Sequence, residues 1–493
     1  MKYGIVPTKT TRNHLFIIPA FVGMIIFYAW LSMSGSGETS GVTSYYYSYL
    51  ADAFLDGNLH LAWQPDPMLL ALDDPYDPQA RDELEKFDIL IPADFSLYEG
   101  KFYLYWGPVP GLLLAAVQFF PHQSSVDDSF LAFAFGVGLF FVQSLLILNI
   151  WDCYFHTLPQ WMLRISIVLA GLTWPIALLR SYNDHARIYQ AAITAGQLFL
   201  ISGLLVAFTA IARPTTSHWR LAFAGLLWIL AIGSRHLLAL PIFFICIMTT
   251  LWITREGIGF VAKITRLTSL SLPLVVGGAG LGWYNWARFG SITETGFSYA
   301  LAGVNIQKHS AELFSSVNII QNLYHYLIQA PDFTSKFPFV SLLQIRKHIA
   351  LPFYTSPEFY YAEPMTGLLY LFPFAVFAIL PLIGLLSDLF KRNPEIHSLE
   401  GGRYDLIGWM TLNLIVSCFA SFLLILFFFW AGMRYLGDFL PLLTILSVMG
   451  FWQGCRLSAH KPLINTLYIY SGIILASISM VMGALLAIST VYG

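Results

Sequence analysis

The sequence predicts an all-α polytopic membrane protein, with about eleven transmembrane helices and two large extracytoplasmic loops. Three observations lead there. The 493-residue chain is 57% hydrophobic and only 11% charged, with a mean hydropathy of +0.65, against roughly 25% charge in an average soluble domain. Its apolar residues gather in runs near 15–33, 129–150, 160–180, 191–212, 218–234, 237–254, 268–287, 366–388, 406–429, 437–454 and 465–490, most of them close to the about 20 helical residues that cross a hydrocarbon core. The runs are continuously apolar and do not alternate, which excludes a transmembrane β-barrel.

Taken in order, the first run follows Lys2, Lys9 and Arg12 as a secretory signal would, but without a convincing small-residue cleavage site, and it reads as a retained anchor. All four cysteines lie in or beside apolar runs and none in the long loops, so no disulfide framework is implied. With the N terminus cytoplasmic, the inner connectors collect most of the basic residues, whereas the short outer connections carry only Arg180, Arg187, Arg235 and Arg434. This orientation suits a multi-pass protein of the inner (plasma) membrane whose working side is extracytoplasmic. It depends on residues 102–121, whose unbroken apolar part, 111–120, is only half a span and begins beside Pro108 and Pro110. The prolines disfavour a continuous helix, so the segment is expected to lie in or dip into the outer interface. The chain is then a single domain, 1–493, with loops 34–128 and 288–365 on the outer side.

The first outer loop is the polar part of the chain. Thirteen of the 28 acidic residues fall between Glu38 and Glu99, and only Arg81, Lys86 and Lys101 oppose them. Residues 45–55 read as a short interfacial helix whose tyrosines suit an aromatic belt, with Asp52 and Asp56 on one face. Asp73, Asp74, Pro75, Asp77 and Pro78 signal turns. In the second loop, 313–328 and 340–349 are helix-like runs between prolines, and the loop is expected to cover a lipid or acceptor groove.

The layout resembles the GT-C superfamily, polytopic glycosyltransferases that use lipid-phosphate sugars and that include protein O-mannosyltransferases and the aminoarabinose transferases of lipid A. The resemblance is carried by the N-terminal span, the acidic Tyr-rich first loop and the re-entry Tyr105, Trp106, Gly107, Pro108, Val109, Pro110, Gly111, Leu112. Segment 283–299, with Asn285, Arg288, Phe289, Gly290, Glu294, Gly296 and Tyr299, is similar to the exit of a span into the second loop in such proteins. Arg434, Tyr435, Asp438 and Pro441 resemble the start of a late span. The resemblance implies transfer of a sugar from a polyprenyl-phosphate donor to an extracytoplasmic lipid, glycan or protein acceptor. Such a donor also answers a physical need, since no nucleotide-sugar pool exists outside the membrane. The chain has no P-loop, and its glycine-rich run 277–282 lies inside a span, where close helix packing is its natural use.

Transfer needs a carboxylate to take the acceptor's proton and positive charge to stabilise the leaving phosphate. The GT-C pattern places an acidic pair soon after the first span; here residues 41–45 are Gly, Val, Thr, Ser and Tyr, and Glu38 is the nearest acid. The candidate bases are Glu38, then Asp52, then Asp94. The candidate phosphate ligands are Arg434 with Tyr435, then Arg235, then Arg187, with Asp438 placed to hold the Arg434 fork. His60, His185, His236, His309, His325 and His348 face outward on this topology. No two have ligand spacing, so the pattern designates no metal, and the divalent cation used by certain GT-C members is left open. Two alternatives stand beside the enzyme: a non-catalytic protein that kept the fold and lost its base, and a transporter or flippase of lipid-linked sugars.

Overall fold

The computed structural model describes residues 17–34, 44–87, 89, 91–119, 125–179, 187–212, 217–255, 257–343, 354, 357–390 and 401–492. The apolar runs fold as helices: α1 Ile17–Met33, α2 Tyr46–Leu55, α3 Val109–Gln118, α4 Asp128–Ile150, α5 Gln160–Leu172, α6 Ile188–Ile211, α7 His218–Ser234, α8 Ala239–Arg255, α9 Phe260–Phe289, α10 Ile379–Phe390, α11 Gly401–Phe427, α12 Leu440–Ser458 and α13 Pro462–Tyr492. The all-α polytopic class is therefore found. Among the described residues, eight helices are long and apolar enough to cross a membrane, those built on α4 to α6, α8, α9 and α11 to α13. At the three other predicted spans the apolar helices are shorter, Ile17–Met33, His218–Ser234 and Pro373–Leu386. A 17-residue helix is about 25 Å long, slightly less than a full span, so length alone does not extend the count to eleven.

Helices α6 and α12 form the centre and bury most of their surface, while α9 lies at the periphery. Small residues make α6 central. At Gly203 an added Cβ would sit 2.2 Å from the Trp228 indole nitrogen on α7, so only glycine admits that close crossing. The glycine run in α9 behaves otherwise. Gly277 packs on Ile229, but Gly278 and Gly280 have no atom of the described residues within 4 Å of a built Cβ.

The first loop folds down onto these helices. Buried Asp128, at the start of α4, accepts from the backbone N–H of Tyr46 at 3.0 Å and of Tyr47 at 3.1 Å, and from Ser44 Oγ at 2.5 Å. It caps α2 from another helix, satisfying amides that have no intrahelical partner. The expected aromatic belt is only partly realised: Tyr47 is fully buried, and Tyr46 packs edge-on against Phe95 and Trp106. Helix α3 has ten residues, about 15 Å, which is too short to cross. Before it, Gly107 meets the backbone of Gly233, where a Cβ would come 2.1 Å from the carbonyl oxygen.

Strands Ser96–Tyr98 and Lys101–Tyr103 form a hairpin whose two turn residues, Glu99 and Gly100, have φ of 48° and 70°. Such paired positive values belong to the tight turn that matches strand twist. Phe95 O then accepts from Leu301 N at 2.7 Å and Leu301 O from Asp94 N at 3.1 Å, joining the two loops. In the second loop a helical stretch covers 316–328. The helix expected over 340–349 begins instead as a two-residue strand, Val340–Ser341, paired with Asp332–Phe333. Pro338 precedes it and Phe339 has a φ of 70°, a backbone incompatible with helix.

The GT-C-like segment 283–299 proves to be a structural joint. The buried Arg288 guanidinium donates to Leu104 O at 2.7 Å, Asn285 Oδ1 at 3.0 Å and Tyr284 O at 3.2 Å, and stacks on Tyr284 with Cζ 3.7 Å from the ring centroid. Gly290 ends α9 in the left-handed region, and Glu294 accepts from Gly296 N and Ser298 Oγ. Replacing Arg288 with Ala strands three acceptors in a buried site, at a cost of about 3 kcal/mol. The thermal midpoint of the variant in detergent should fall by several degrees, and an unchanged midpoint would show that the joint is not stabilising.

Candidate active site

A cavity of about 430 Å³ opens between the two loops and the adjoining ends of α6, α7 and α11. Its lining combines apolar residues, among them Phe297, Leu301, Val304, Ile425 and Phe428, with the polar Asp94, Tyr105, Tyr189, Arg235, Glu363 and Arg434. Four of the residues singled out in the sequence therefore line one space: Asp94, Arg235, Arg434 and Tyr435.

Asp94 is presented at a strained position. Its φ is 62°, a value that aspartate tolerates better than most residues, and the paired backbone of Leu301 holds it there. Tyr189, at the first turn of α6, donates to Asp94 Oδ2 at 2.9 Å, and Tyr105 and Tyr189 share a hydrogen bond of 2.9 Å between their hydroxyls. Burial raises the Asp94 pKa and the charge of Glu363 adds to this, while the Tyr189 bond, Arg434 and Arg81 oppose it.

Arg434 sits in the four-residue helix Met433–Leu436. Its Nη1 lies 2.7 Å from Glu363 Oε1, which also accepts from Trp430 Nε1 at 3.0 Å. Cζ is 4.0 Å from the centroid of Tyr189 and 5.2 Å from that of Tyr435. Nε is buried without a hydrogen-bond partner among the described residues. Asp438 was expected to hold this fork and does not. The helix around Arg434 stops at Leu436, so the four-residue spacing no longer places the two side chains on one face. Asp438 instead grips Arg235, with Nε to Oδ1 at 3.1 Å and Nη2 to Oδ2 at 2.8 Å, and Gln197 donates to its backbone oxygen at 2.7 Å.

Glu363 is the site residue that sequence reasoning missed. It reaches Arg434 because Tyr361–Ala362 pairs in parallel with Trp430–Ala431, and Glu363 N donates to Ala431 O at 2.9 Å. Two-residue strands inside aromatic loops leave no readable period.

The other candidates lie elsewhere. Asp52 is exposed on α2 and does not line the cavity; partial burial, then Asp56, raises its pKa. Arg187 donates from Nη1 to Ser32 O at 2.8 Å and to Ser129 Oγ at 2.9 Å, fastening α1 to α4. As the residue just before α6 it points away from the cavity, which Tyr189 lines. Glu38, His185 and His348 lie outside the described residues. His236 lines the cavity, and His325 is buried against Tyr360. His309 pairs with Glu312 at 3.1 Å, and His60 lies against Tyr103. Among the described residues no three His, Cys, Asp or Glu side chains gather to hold a metal ion.

Among solved structures the chain is similar to the oligosaccharyltransferase of Archaeoglobus fulgidus in its apo form, with a TM-score of 0.51 and 12% identity over 97% of this chain and 56% of that one. The likeness establishes the fold, and the GT-C resemblance read from the sequence is met at that level. This chain spans about half the length of that protein. No family model and no curated protein matches the sequence.

The buried fork between Arg235 and Asp438 has its own measurable consequence, since their side chains are only 12% and 2% exposed. Asp438→Asn leaves an uncompensated buried cation and should lower stability by about 3–5 kcal/mol. The double replacement Arg235→Leu with Asp438→Leu removes both charges, and denaturant midpoints should place it above the single variant. The reverse order would mean that the pair is not buried in the native protein.

Proposed function

We propose that this protein is a membrane glycosyltransferase that moves a sugar from a polyprenyl-phosphate donor to an acceptor on the extracytoplasmic side. The observation that carries the reading is the meeting of a half-buried carboxylate, Asp94, with two arginines, Arg434 and Arg235, in a single cavity that also has many apolar lining residues. A lipid-linked sugar phosphate has those needs: an apolar surface for the first isoprene units and positive charge for the phosphate.

In this reading Asp94 takes the proton of the acceptor hydroxyl as its oxygen attacks the anomeric carbon. The bond from that carbon to the phosphate oxygen breaks, and the electron pair leaves with the polyprenyl phosphate. Arg434 receives the growing charge, oriented by Glu363 and by the Tyr189 and Tyr435 rings, with Arg235 behind it. Attack opposite the leaving group inverts the anomeric centre. Asp94 is taken as the base because it lines the cavity with Arg434, which Asp52 does not, and because burial raises its basicity; Glu38 lies outside the described residues.

Replacing a general base typically costs about 10²–10⁴-fold in rate. Asp94→Asn should therefore reduce turnover on that scale while polyprenyl-phosphate binding survives, and Asp52→Asn should keep turnover. Arg434→Lys should weaken donor binding because an ammonium has no planar fork, and Arg434→Ala should weaken it further. The checks are transfer of radiolabelled sugar in membranes and direct binding of the lipid phosphate. Full turnover in Asp94→Asn would move the base to Glu38 or Asp52, and no transfer by the unaltered protein would leave a non-catalytic protein or a transporter.

A further inference from the structure

Tyr189 stands between the two halves of the cavity chemistry and belongs to neither. Its hydroxyl donates to Asp94 Oδ2 at 2.9 Å, while the face of the same ring carries the Arg434 guanidinium with Cζ 4.0 Å from the centroid. Trp106 closes on the ring edge-on at 5.1 Å between centroids, and the Tyr105 hydroxyl bonds to the Tyr189 hydroxyl at 2.9 Å. The residue is set at the rigid start of α6, the most enclosed part of the bundle, with Ile188, Ala191 and Ala192 fully buried around it. A tyrosine used only as packing has no need to present a hydroxyl to a carboxylate and a ring face to an arginine together.

We propose that Tyr189 is the positioning residue of this site, a spacer whose hydroxyl orients Asp94 and whose ring holds Arg434 in place for the lipid phosphate. The proposal rests on the glycosyltransferase reading above and names the residue that couples its base to its phosphate clamp. Tyr189 is not a catalytic residue, since it acts on the substrate through the two groups it holds.

The two functions separate by substitution. Tyr189→Phe keeps the ring and removes the hydroxyl. Asp94 then loses a hydrogen bond that favours its charged form, while burial continues to disfavour that form. The groups around Asp94 are Arg434 and Glu363 from the facing loops, Arg81 from the first loop, Tyr46 on α2, and Tyr105, and the substitution leaves each of them in place. The Asp94 pKa therefore moves further up. Tyr189→Leu removes the ring as well and takes a cation–π surface from Arg434.

The readout is binding of undecaprenyl phosphate to the full-length protein in detergent micelles as a function of pH, which needs neither the sugar nor the acceptor. An ionised Asp94 repels the phosphate, so binding weakens as pH rises through the Asp94 pKa. In Tyr189→Phe this step should lie at measurably higher pH than in the unaltered protein. The phosphate's own ionisation is common to both proteins and cancels in the comparison. On an Asp94→Asn background, Tyr189→Phe should move nothing. Tyr189→Leu, which also lacks the hydroxyl, should show the same displaced step and, on both sides of it, binding about fivefold weaker than in Tyr189→Phe. A Tyr189→Phe curve that superimposes on the unaltered one, in a protein whose binding is lost in Arg434→Ala, overturns the proposal and leaves the functional reading intact. An equal shift on the Asp94→Asn background also overturns it. If the unaltered protein binds no undecaprenyl phosphate, the functional reading falls and the proposal with it.

Discussion

A guanidinium in a low-dielectric interior must meet a carboxylate or an aromatic face, and this requirement organises the head of the bundle. Arg235 and Arg434 each have both. Arg235 is forked onto Asp438 with its Cζ 5.7 Å from the Tyr435 ring, and Arg434 pairs with Glu363 while lying over Tyr189. Charges so enclosed would destabilise the fold if left alone. Each partner therefore fixes a piece of backbone: Asp438 the start of α12, Glu363 the parallel pairing of the second loop with 430–431, and Tyr189 the start of α6. The cavity is the space these pairings leave.

The same economy explains the first loop. Asp94 reaches the cavity because a two-residue turn at Glu99–Gly100 folds a hairpin whose edge pairs with Ala300 and Leu301. Arg81 donates to Pro75 O at 3.0 Å and also to Ala302 O, and Asp74 meets Lys308 at 2.8 Å and Asn305 Nδ2 at 3.0 Å. Asp74 and Arg81, two charged residues of the first loop, thus stitch it to the second. Arg288 does similar work below them, so the segment that resembles a family signature gives the cavity Thr295 and Phe297 but not its arginine.

The helices were legible because a long apolar run has few ways to fold in a bilayer, and the same physics made Arg235 and Arg434 stand out at its edge. The short elements were not legible. Glu363 is placed by strands of two residues, Asp94 by a hairpin and a left-handed backbone step, and Asp438 is redirected by the early end of a four-residue helix. None of these leaves a period long enough to read. Asp94 ranked behind Glu38 and Asp52 in the sequence because proximity to the first span outweighed a burial that only the tertiary structure discloses. Arg187 misled for the opposite reason: two residues separate it from Tyr189, and at the start of a helix two residues are enough to reverse the direction of a side chain.

The central claim is that the cavity receives a lipid phosphate between Arg434 and Asp94. The most direct measurement is a structure of the protein in lipid nanodiscs with undecaprenyl phosphate bound. The account predicts the phosphate within hydrogen-bonding distance of Arg434, with its first isoprene units against Phe297, Phe428 and their neighbours and with Asp94 facing the position a sugar would take. A phosphate resolved at any other site, with Arg434 engaged only by Glu363, would contradict it.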